Sequence, residues 1–474
     1  MKRITSSILL IIILFFAACA PRPVIQQPQG PLLPASYSEQ AADSSLIVLP
    51  YKAFFRDPYL LQLLDTALVN NWDLQIALQR IEKFNAEVLQ TTGAQRPRVD
   101  AVVGSAIRRY GLYTMDGAGN SSTFMLPGKI VPTDLPDYFV GFQSAWEIDI
   151  WGKLKSRKKA AVARYLASRE GRNLLLTQLV SEIASRYYEL KAADQLLRII
   201  DESIAIQQRA FDIVKAKKEA AFLNELAVKQ FEAQLANLLA LQQELQQSVF
   251  ITENSINLLV GRFPQPIQRD TVFANNLLLH QVKAGIPAAL LQNRPDIRQA
   301  ALELSATRAD VAAARAAFNP SFNITASLGY QAFRPDLLFN TPQSVAYTLV
   351  GGLVTPLVNR AALKAAYANA NANQLEATYQ YYKTVVQGYH EVFTELQRTR
   401  NLTEMQQRKA SETQLLSQAV NIAEALFRTG RATYLEVLFA QQQTLKAKME
   451  LVEIKKRILA SGVHLYRSLG GGWQ

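Results

Sequence analysis

The chain repeats itself, and that limits the folds open to it more than any other feature. Leu68-Val69-Asn70-Asn71-Trp72-Asp73-Leu74 lines up with Leu291-Gln292-Asn293-Arg294-Pro295-Asp296-Ile297, and the same offset places Pro97 on Pro320. The match resumes with Leu154-Lys155 on Leu363-Lys364, Glu225-Leu226 on Glu436-Val437, and Leu258 and Gly261 on Leu469 and Gly472. An internal repeat has to be satisfied by the whole architecture, so each half must build the same set of elements. Each half reads as a helix, two strands and a very long helical region.

The helical regions dominate. No proline interrupts Asp137 to Phe263 or Leu357 to the C-terminus, so helices there can propagate without losing a backbone donor. In the last stretch Leu435, Leu438, Gln442, Leu445, Met449, Val452, Lys456, Leu459, Val463 and Tyr466 are spaced three and four apart. Leu235, Leu238, Gln242, Leu245, Val249, Thr252, Ile256 and Leu259 do the same in the first half. That period marks a coiled-coil seam, although an ordinary helical bundle shares it.

The strands have the other periodicity. Phe322, Ile324, Ala326, Leu328 and Tyr330 alternate with Ser321, Asn323, Thr325, Ser327 and Gly329. Tyr138, Val140, Phe142, Trp146, Ile148 and Ile150 alternate with Gly141, Gln143, Glu147 and Asp149, and shorter alternations occupy Val99 to Ile107 and Val345 to Leu353. Segments of about ten residues, apolar on one face and polar on the other, suit a barrel wall between lipid and water. A solvent-facing antiparallel sheet alternates in the same way. Four strands cannot close a barrel, which needs about eight or more. Open edges are not tolerated in lipid. If these strands lie in a membrane, several subunits share one barrel, and three subunits give twelve strands. After the N-terminus no apolar run approaches the roughly 20 residues of a membrane-spanning helix, so any insertion uses strands.

The N-terminus reads as an export signal: Met1-Lys2-Arg3, an apolar stretch from Ile8 to Phe16, then Ala17-Ala18-Cys19. The apolar stretch is too short for an anchor helix. Phe16-Ala17-Ala18-Cys19 resembles the bacterial lipobox, in which the cysteine becomes the first mature residue and carries lipid such as palmitate. Cys19 is the only cysteine, so no disulfide forms within the chain. Ala20 follows it, whereas an aspartate there resembles an inner-membrane retention signal. Pro21, Pro23, Pro28, Pro31 and Pro34 then favour extended backbone and a tether without a core. The expected organisation is a cleaved signal at 1–18, a lipidated tether and N-terminal segment at 19–55, a first repeat at 56–261, a linker at 262–285 and a second repeat at 286–474. The formal charge of +12 is scattered along helices among acids, which reads as solvated helix faces and not as a nucleic-acid surface.

Three stretches carry a resemblance that covers essentially the whole mature chain. They are Ser144-Ala145-Trp146-Glu147-Ile148-Asp149-Ile150-Trp151-Gly152-Lys153-Leu154; Asn293-Arg294-Pro295-Asp296-Ile297 with Ala312-Ala313-Ala314-Arg315-Ala316-Ala317-Phe318-Asn319-Pro320; and Leu465-Tyr466-Arg467-Ser468-Leu469-Gly470-Gly471-Gly472-Trp473. In order and spacing the chain resembles the TolC-like outer-membrane efflux proteins, and within them the OprM-type lipoproteins. The resemblance implies a homotrimer anchored in outer-membrane lipid. Its parts are a twelve-stranded β-barrel, a periplasmic α-barrel of antiparallel coiled-coil helices and an equatorial belt that contains the linker. The implied partners are a periplasmic adaptor and an inner-membrane pump, often of the resistance-nodulation-division type. The chain would be a passive exit duct for small molecules such as drugs, without a cofactor.

The resemblance also implies sites. The family's periplasmic tips are helix-to-helix turns that meet the adaptor. Arg428-Thr429-Gly430-Arg431 looks like one, with Gly430 permitting a left-handed turn. Its counterpart Lys218-Glu219-Ala220-Ala221 lacks glycine and is expected to be built differently. Just beyond the tip the family narrows its tunnel, and the matching positions are Leu435, Glu436 and Phe439, with Asn224, Glu225 and Val228 in the first half. Phe439 departs from the family, in which acidic residues occupy that position. Glu436 and Glu225 could supply an acidic ring, while Leu435 and Phe439 form an apolar constriction. Plain surface turns and solvated glutamates are the alternatives.

Other functions fit less well. His280, His390 and His464 are the only histidines, and neither a phosphate-cradling glycine loop, a nucleophile elbow nor metal-ligand spacing is present. An enzyme is therefore not expected. A lipid-tethered coiled-coil scaffold would have no use for strand pairs in both halves. Metal-ion efflux and type I protein secretion remain open as cargoes of the same fold.

Overall fold

The computed structural model describes residues 28, 30–34, 36–37, 50–270, 287–355, 358 and 360–473. The export signal, Cys19 and linker residues 271–285 lie outside the described residues. In chain order the elements are α1 (Tyr51–Phe54), α2 (Pro58–Asn70), α3 (Trp72–Gly93), β1 (Arg98–Arg109), α4 (Met115–Ser122), β2 (Phe124–Leu126), β3 (Lys129–Ile130) and β4 (Asp134–Ile148). The first half ends with α5 (Lys153–Glu219) and α6 (Glu225–Val260). The second half is α7 (Leu290–Asn293), α8 (Pro295–Ala316), β5 (Ser321–Ala332), β6 (Val345–Val354), α9 (Ala361–Arg428) and α10 (Tyr434–Ser468). The expected strands and proline-free helices are all present. The short α1, the division of each half's leading helix into two (α2 and α3, α7 and α8), and α4 with the β2–β3 ribbon inside the loop that joins β1 to β4 were not read from sequence.

Two compact units divide these elements, and each draws on both halves of the chain. The first contains Lys83–Tyr165 and Leu302–Thr378 and holds a four-stranded antiparallel sheet in the order β1-β4-β5-β6. Its register aligns the apolar sets. Ala101 faces Phe142, Phe142 faces Leu328 and Leu328 faces Tyr347, while Val103, Val140, Tyr330 and Val345 form the next rung. Because side chains alternate between faces, one face carries these residues and the other carries Gln143, Glu147, Asn323, Thr325 and Ser327. The apolar face has no covering layer among the described residues: Val103, Ile107, Leu328, Tyr347 and Leu349 are all exposed.

The second unit, which includes Leu166–Ala301 and the chain from Tyr379 onward, is built from helices around one main core. Asp57 starts α2 by accepting the backbone N–H of Tyr59 at 3.0 Å, and Pro58 fits the first turn, where a donor is not needed. Leu60, Leu63, Leu64 and Ala67 bury the resulting apolar stripe against Tyr187, Ile183, Ile256 and Val463. The two seams read from periodicity meet here: Leu238 and Leu245 of α6 pack with Ile200 of α5 and with Leu445 and Met449 of α10. Leu435 is the exception among the apolar members of the seams, since it heads the second seam yet is exposed.

The tether expectation needs one correction. Tyr37 is buried and stacks on Tyr389 of α9 with ring centroids 5.3 Å apart, and Leu33 packs beside it. Prolines keep this segment extended, and an extended segment can still lay single large side chains into a helical groove.

The repeat is visible in the way each half ends. Gly261 closes α6 at φ +79°, against the carbonyl of Asn70 at the end of α2. Gly470 closes α10 at φ +91°, against the carbonyl of Asn293 at the end of α7. The sequence alignment paired Gly261 with Gly472, but the geometry pairs it with Gly470. Three consecutive glycines look alike as letters, and only the backbone bonds separate them. Gly261 N–H reaches Leu258 O and Arg262 N–H reaches Asn257 O, as Gly470 reaches Arg467 and Gly471 reaches Tyr466. The side chains agree. Asn71 donates to Leu259 O at 2.8 Å, and Arg294, its counterpart, donates to Ser468 O at 2.8 Å, each satisfying a carbonyl left open at a helix end.

Candidate channel wall and helix-hairpin tips

The sheet is the first candidate site. Its edge strands β1 and β6 each have one partner among the described residues, so each presents a row of unpaired backbone groups. Together with the uncovered apolar face, this surface is stable only where lipid covers the face and further strands continue both edges.

The strand-to-helix corner explains one of the sequence motifs. Asp149 accepts the backbone N–H groups of Leu154 at 3.1 Å and Lys155 at 2.7 Å, so it caps α5. Trp146 donates to Gln95 O at 3.1 Å, Trp151 donates to Pro320 O at 2.8 Å, and Lys153 pairs with Glu147 at 2.5 Å. Trp146 thus ties the end of β4 to the segment before β1, Trp151 ties the following turn to the residue before β5, and Lys153 ties the start of α5 back to β4. Ile150 lies past the strand, in the turn. Arg294 of the second motif is a clamp. It is buried, bidentate on Asp296 and bonded to Glu391 at 2.8 Å.

The helix-hairpin tips are the second candidate site. The turn after α9 places Gly430 at φ +71°, with Gly430 N–H on Phe427 O at 3.2 Å and Arg431 N–H on Leu426 O at 2.9 Å. The turn after α5 was expected to differ, and it does not. Ala221 takes the left-handed position at φ +55°, Ala221 N–H bonds Lys218 O at 2.9 Å and Phe222 N–H bonds Lys217 O at 2.9 Å. Ala221 is therefore the equivalent of Gly430. The tertiary setting imposes a conformation that costs an alanine about 1–2 kcal/mol. Of the expected tip residues, Glu219 and Arg428 end their helices, while Ala220 and Thr429 precede the left-handed positions. The two tips are adjacent, since the Lys217 ammonium lies 4.2 Å from the centre of the Phe427 ring.

Just beyond the tips the structure places the six expected gate residues in different roles. Leu435 and Phe439 are 49% and 64% exposed and a turn apart on α10. Val228 is buried with Val214, Phe231 and Leu438 in the hairpin core. Asn224 is the N-cap of α6, accepting Ala227 N–H at 3.1 Å. The left-handed positions and the caps pair Asn224 with Thr433, and therefore Leu226 with Leu435, so Glu225 and Glu436 do not occupy equivalent sites. Glu436 turns back into a capping box, with its carboxylate accepting Thr433 N–H at 2.6 Å and the Thr433 hydroxyl at 3.1 Å. Glu225 pairs with Lys218 at 2.9 Å, and that ammonium holds its carboxyl below the usual range. Exposed Leu226 was not singled out in the sequence, where the shifted alignment hid its equivalence to Leu435.

Among the described residues, no three of His, Cys, Asp or Glu are grouped to hold a metal, and no helix is long and apolar enough to cross a membrane.

Known proteins share this arrangement. The family described as outer membrane efflux protein matches residues 63–262 and 286–471. The solvent efflux pump outer membrane protein SrpC of Pseudomonas putida is 29% identical over 97% of both chains. The cation efflux system protein CusC of Escherichia coli is 27% identical over 96% of this chain and 94% of its own. The crystal structure of a membrane protein from Pseudomonas aeruginosa superposes with a TM-score of 0.86 at 25% identity, over 96% of this chain and 98% of that one.

Proposed function

The chain belongs to the outer membrane efflux protein family, and from that premise we propose that it is the outer-membrane channel subunit of a tripartite efflux pump. In this reading three copies share a twelve-stranded barrel, and a periplasmic adaptor links the channel to an inner-membrane transporter. One observation carries the reading: a four-stranded sheet with an uncovered apolar face and both edges open. Such a sheet has its backbone groups satisfied in hydrocarbon only if identical neighbours complete a closed barrel. The duct is passive and we assign it no catalysis. The pump supplies the energy and selects the cargo.

Relatives are named for solvent, toluene, antibiotic, pyoverdine and cation export. We take small organic molecules as the cargo class, because the relatives named for solvent, toluene and antibiotic export are 29% identical, against 27% for the cation exporter over a comparable span. Cys19 is proposed as the lipid attachment point. The paired tips around Gly430 and Ala221 are proposed to meet the adaptor, and exposed Leu435 and Phe439 to narrow the tunnel. The test is the mass of the detergent-extracted protein together with single-channel recording in planar bilayers. Three subunits and a stable conductance are expected, and a monomer without conductance overturns the reading.

A further inference from the structure

Next to the strand-to-helix corner, the first unit contains a groove of about 440 Å³ that neither the caps nor the barrel reading uses. One wall is α8, where Arg308 and Arg315 stand two turns apart on the same face, and Val311 and Ala312 between them leave the floor low. The opposite wall is the start of α9, which contributes Tyr367 and the amides of Asn371 and Gln374. Trp151 closes one end, about half exposed, with its indole N–H fixed on Pro320 O.

The lining holds two permanent cations and no carboxylate. Asp310, the nearest acid in sequence to Arg308, is paired with Arg164 on another helix. Neither Arg308 nor Arg315 has an ion pair among the described residues. Two unneutralised guanidinium forks over a low floor, with neutral amides opposite, suit an oxyanion that can accept paired hydrogen bonds, and phosphate has that geometry.

The position identifies the source. Trp151 and Pro320 lie where β4 ends and β5 begins, at the margin of the apolar sheet face. An exposed tryptophan at such a margin marks the headgroup level of a bilayer. We propose that this groove binds the phosphate-bearing headgroup of an anionic glycerophospholipid. The inference rests on the membrane reading of the sheet. In each subunit the headgroup phosphate bridges Arg308 and Arg315, and its glycerol and ester region lies against Trp151.

The experiment titrates the detergent-extracted, full-length protein with dihexanoyl phosphatidylglycerol and counts bound lipid by native mass measurement. Inorganic phosphate serves as competitor. One saturable lipid per subunit is expected, with at least about tenfold weaker binding in the Arg308→Gln, Arg315→Gln variant. Inorganic phosphate should compete at least about tenfold more weakly than the lipid. The Arg308→Lys, Arg315→Lys variant keeps the charge but loses the fork, and it should bind several-fold more weakly than wild type. Lipid binding unchanged in the glutamine variant, or equal in the lysine variant, overturns the proposal. So does the absence of saturable binding, as when a neighbouring subunit fills the groove. Displacement by an equal concentration of inorganic phosphate assigns the groove to a free anion and rejects the lipid. Single-channel recording of the same preparation separates the two readings: conductance without lipid binding fails this inference alone.

Discussion

The two halves of the chain make the same turn from different residues. In the second half Gly430 occupies a left-handed position that costs glycine nothing, while in the first half Ala221 occupies its equivalent at φ +55°. The bonds that close the turns are the same in both. The helix ends likewise use an amide, Asn71, in one half and a buried guanidinium, Arg294, in the other. The repeat therefore conserves backbone geometry and lets side chains vary. A residue's role follows from its place in the hairpin and not from its letter in an alignment.

Four pairs of substitutions sharpen or break that equivalence. The largest effect is expected from Gly261→Ala and Gly470→Ala. Both glycines have positive φ, and an added Cβ would lie 2.4 Å from Asn70 O in one half and 2.5 Å from Asn293 O in the other. Each should cost about 3–5 kcal/mol, since backbone must move as well as strain, read as a fall in the midpoint of thermal unfolding. A large loss in one half with a neutral effect in the other would break the pairing of Gly261 with Gly470.

Next, Arg294→Met should cost about 3 kcal/mol, because it leaves Asp296 and Ser468 O without their partner. Asn71→Ala removes one buried amide and should cost about 1–2 kcal/mol. Thermal unfolding that ranks the two in the opposite order would deny Arg294 its clamp role.

At the tips the signs should be opposite. Ala221→Gly removes the left-handed penalty and should stabilise by about 0.5–1 kcal/mol, offset in part by the greater freedom of glycine in the unfolded chain. Gly430→Ala adds the same penalty, with no atom within 4 Å of the new Cβ to add a clash. Limited proteolysis at the turns reads both, and equal signs would show that the two turns are not equivalent.

The smallest stability changes are expected at the glutamates, where they separate capping from charge. Glu436→Gln keeps the capping box and removes the carboxylate. Because Glu436 is folded onto Thr433 and Glu225 is paired with Lys218, combining it with Glu225→Gln should leave the cation-to-anion permeability ratio of the channel nearly unchanged at nearly unchanged stability, and a marked fall in that ratio would restore an acidic ring. Glu225 has a depressed pKa in the folded hairpin, so its pair with Lys218 favours the fold above the ordinary carboxylate pKa and ceases to do so as pH falls through the lowered value. The difference in thermal midpoint between wild type and Lys218→Met should accordingly shrink from pH 7 to about pH 3, and it is small throughout because the pair is exposed. A difference that widens in acid would place Glu225 outside that pair.

What could be read from the sequence was local and periodic. Period-two alternation located β1, β4, β5 and β6 to within a few residues, and three-four spacing with no proline located the long helices. Strand counting required partner subunits if the strands lie in a membrane, because four strands leave edges that lipid cannot satisfy. Tertiary structure decided everything that depends on which groups meet through space. It chose Gly470 among three glycines, held Ala221 left-handed, buried Val228 in the hairpin and folded Glu436 back on its own helix. It also set Arg308 and Arg315 opposite the amides of α9. Periodicity is a property of a residue and its chain neighbours, so the sequence carries it openly. A cap, a clamp or a groove depends on partners from other elements, such as the 174 residues that separate Arg294 from Ser468, and only packing determines them.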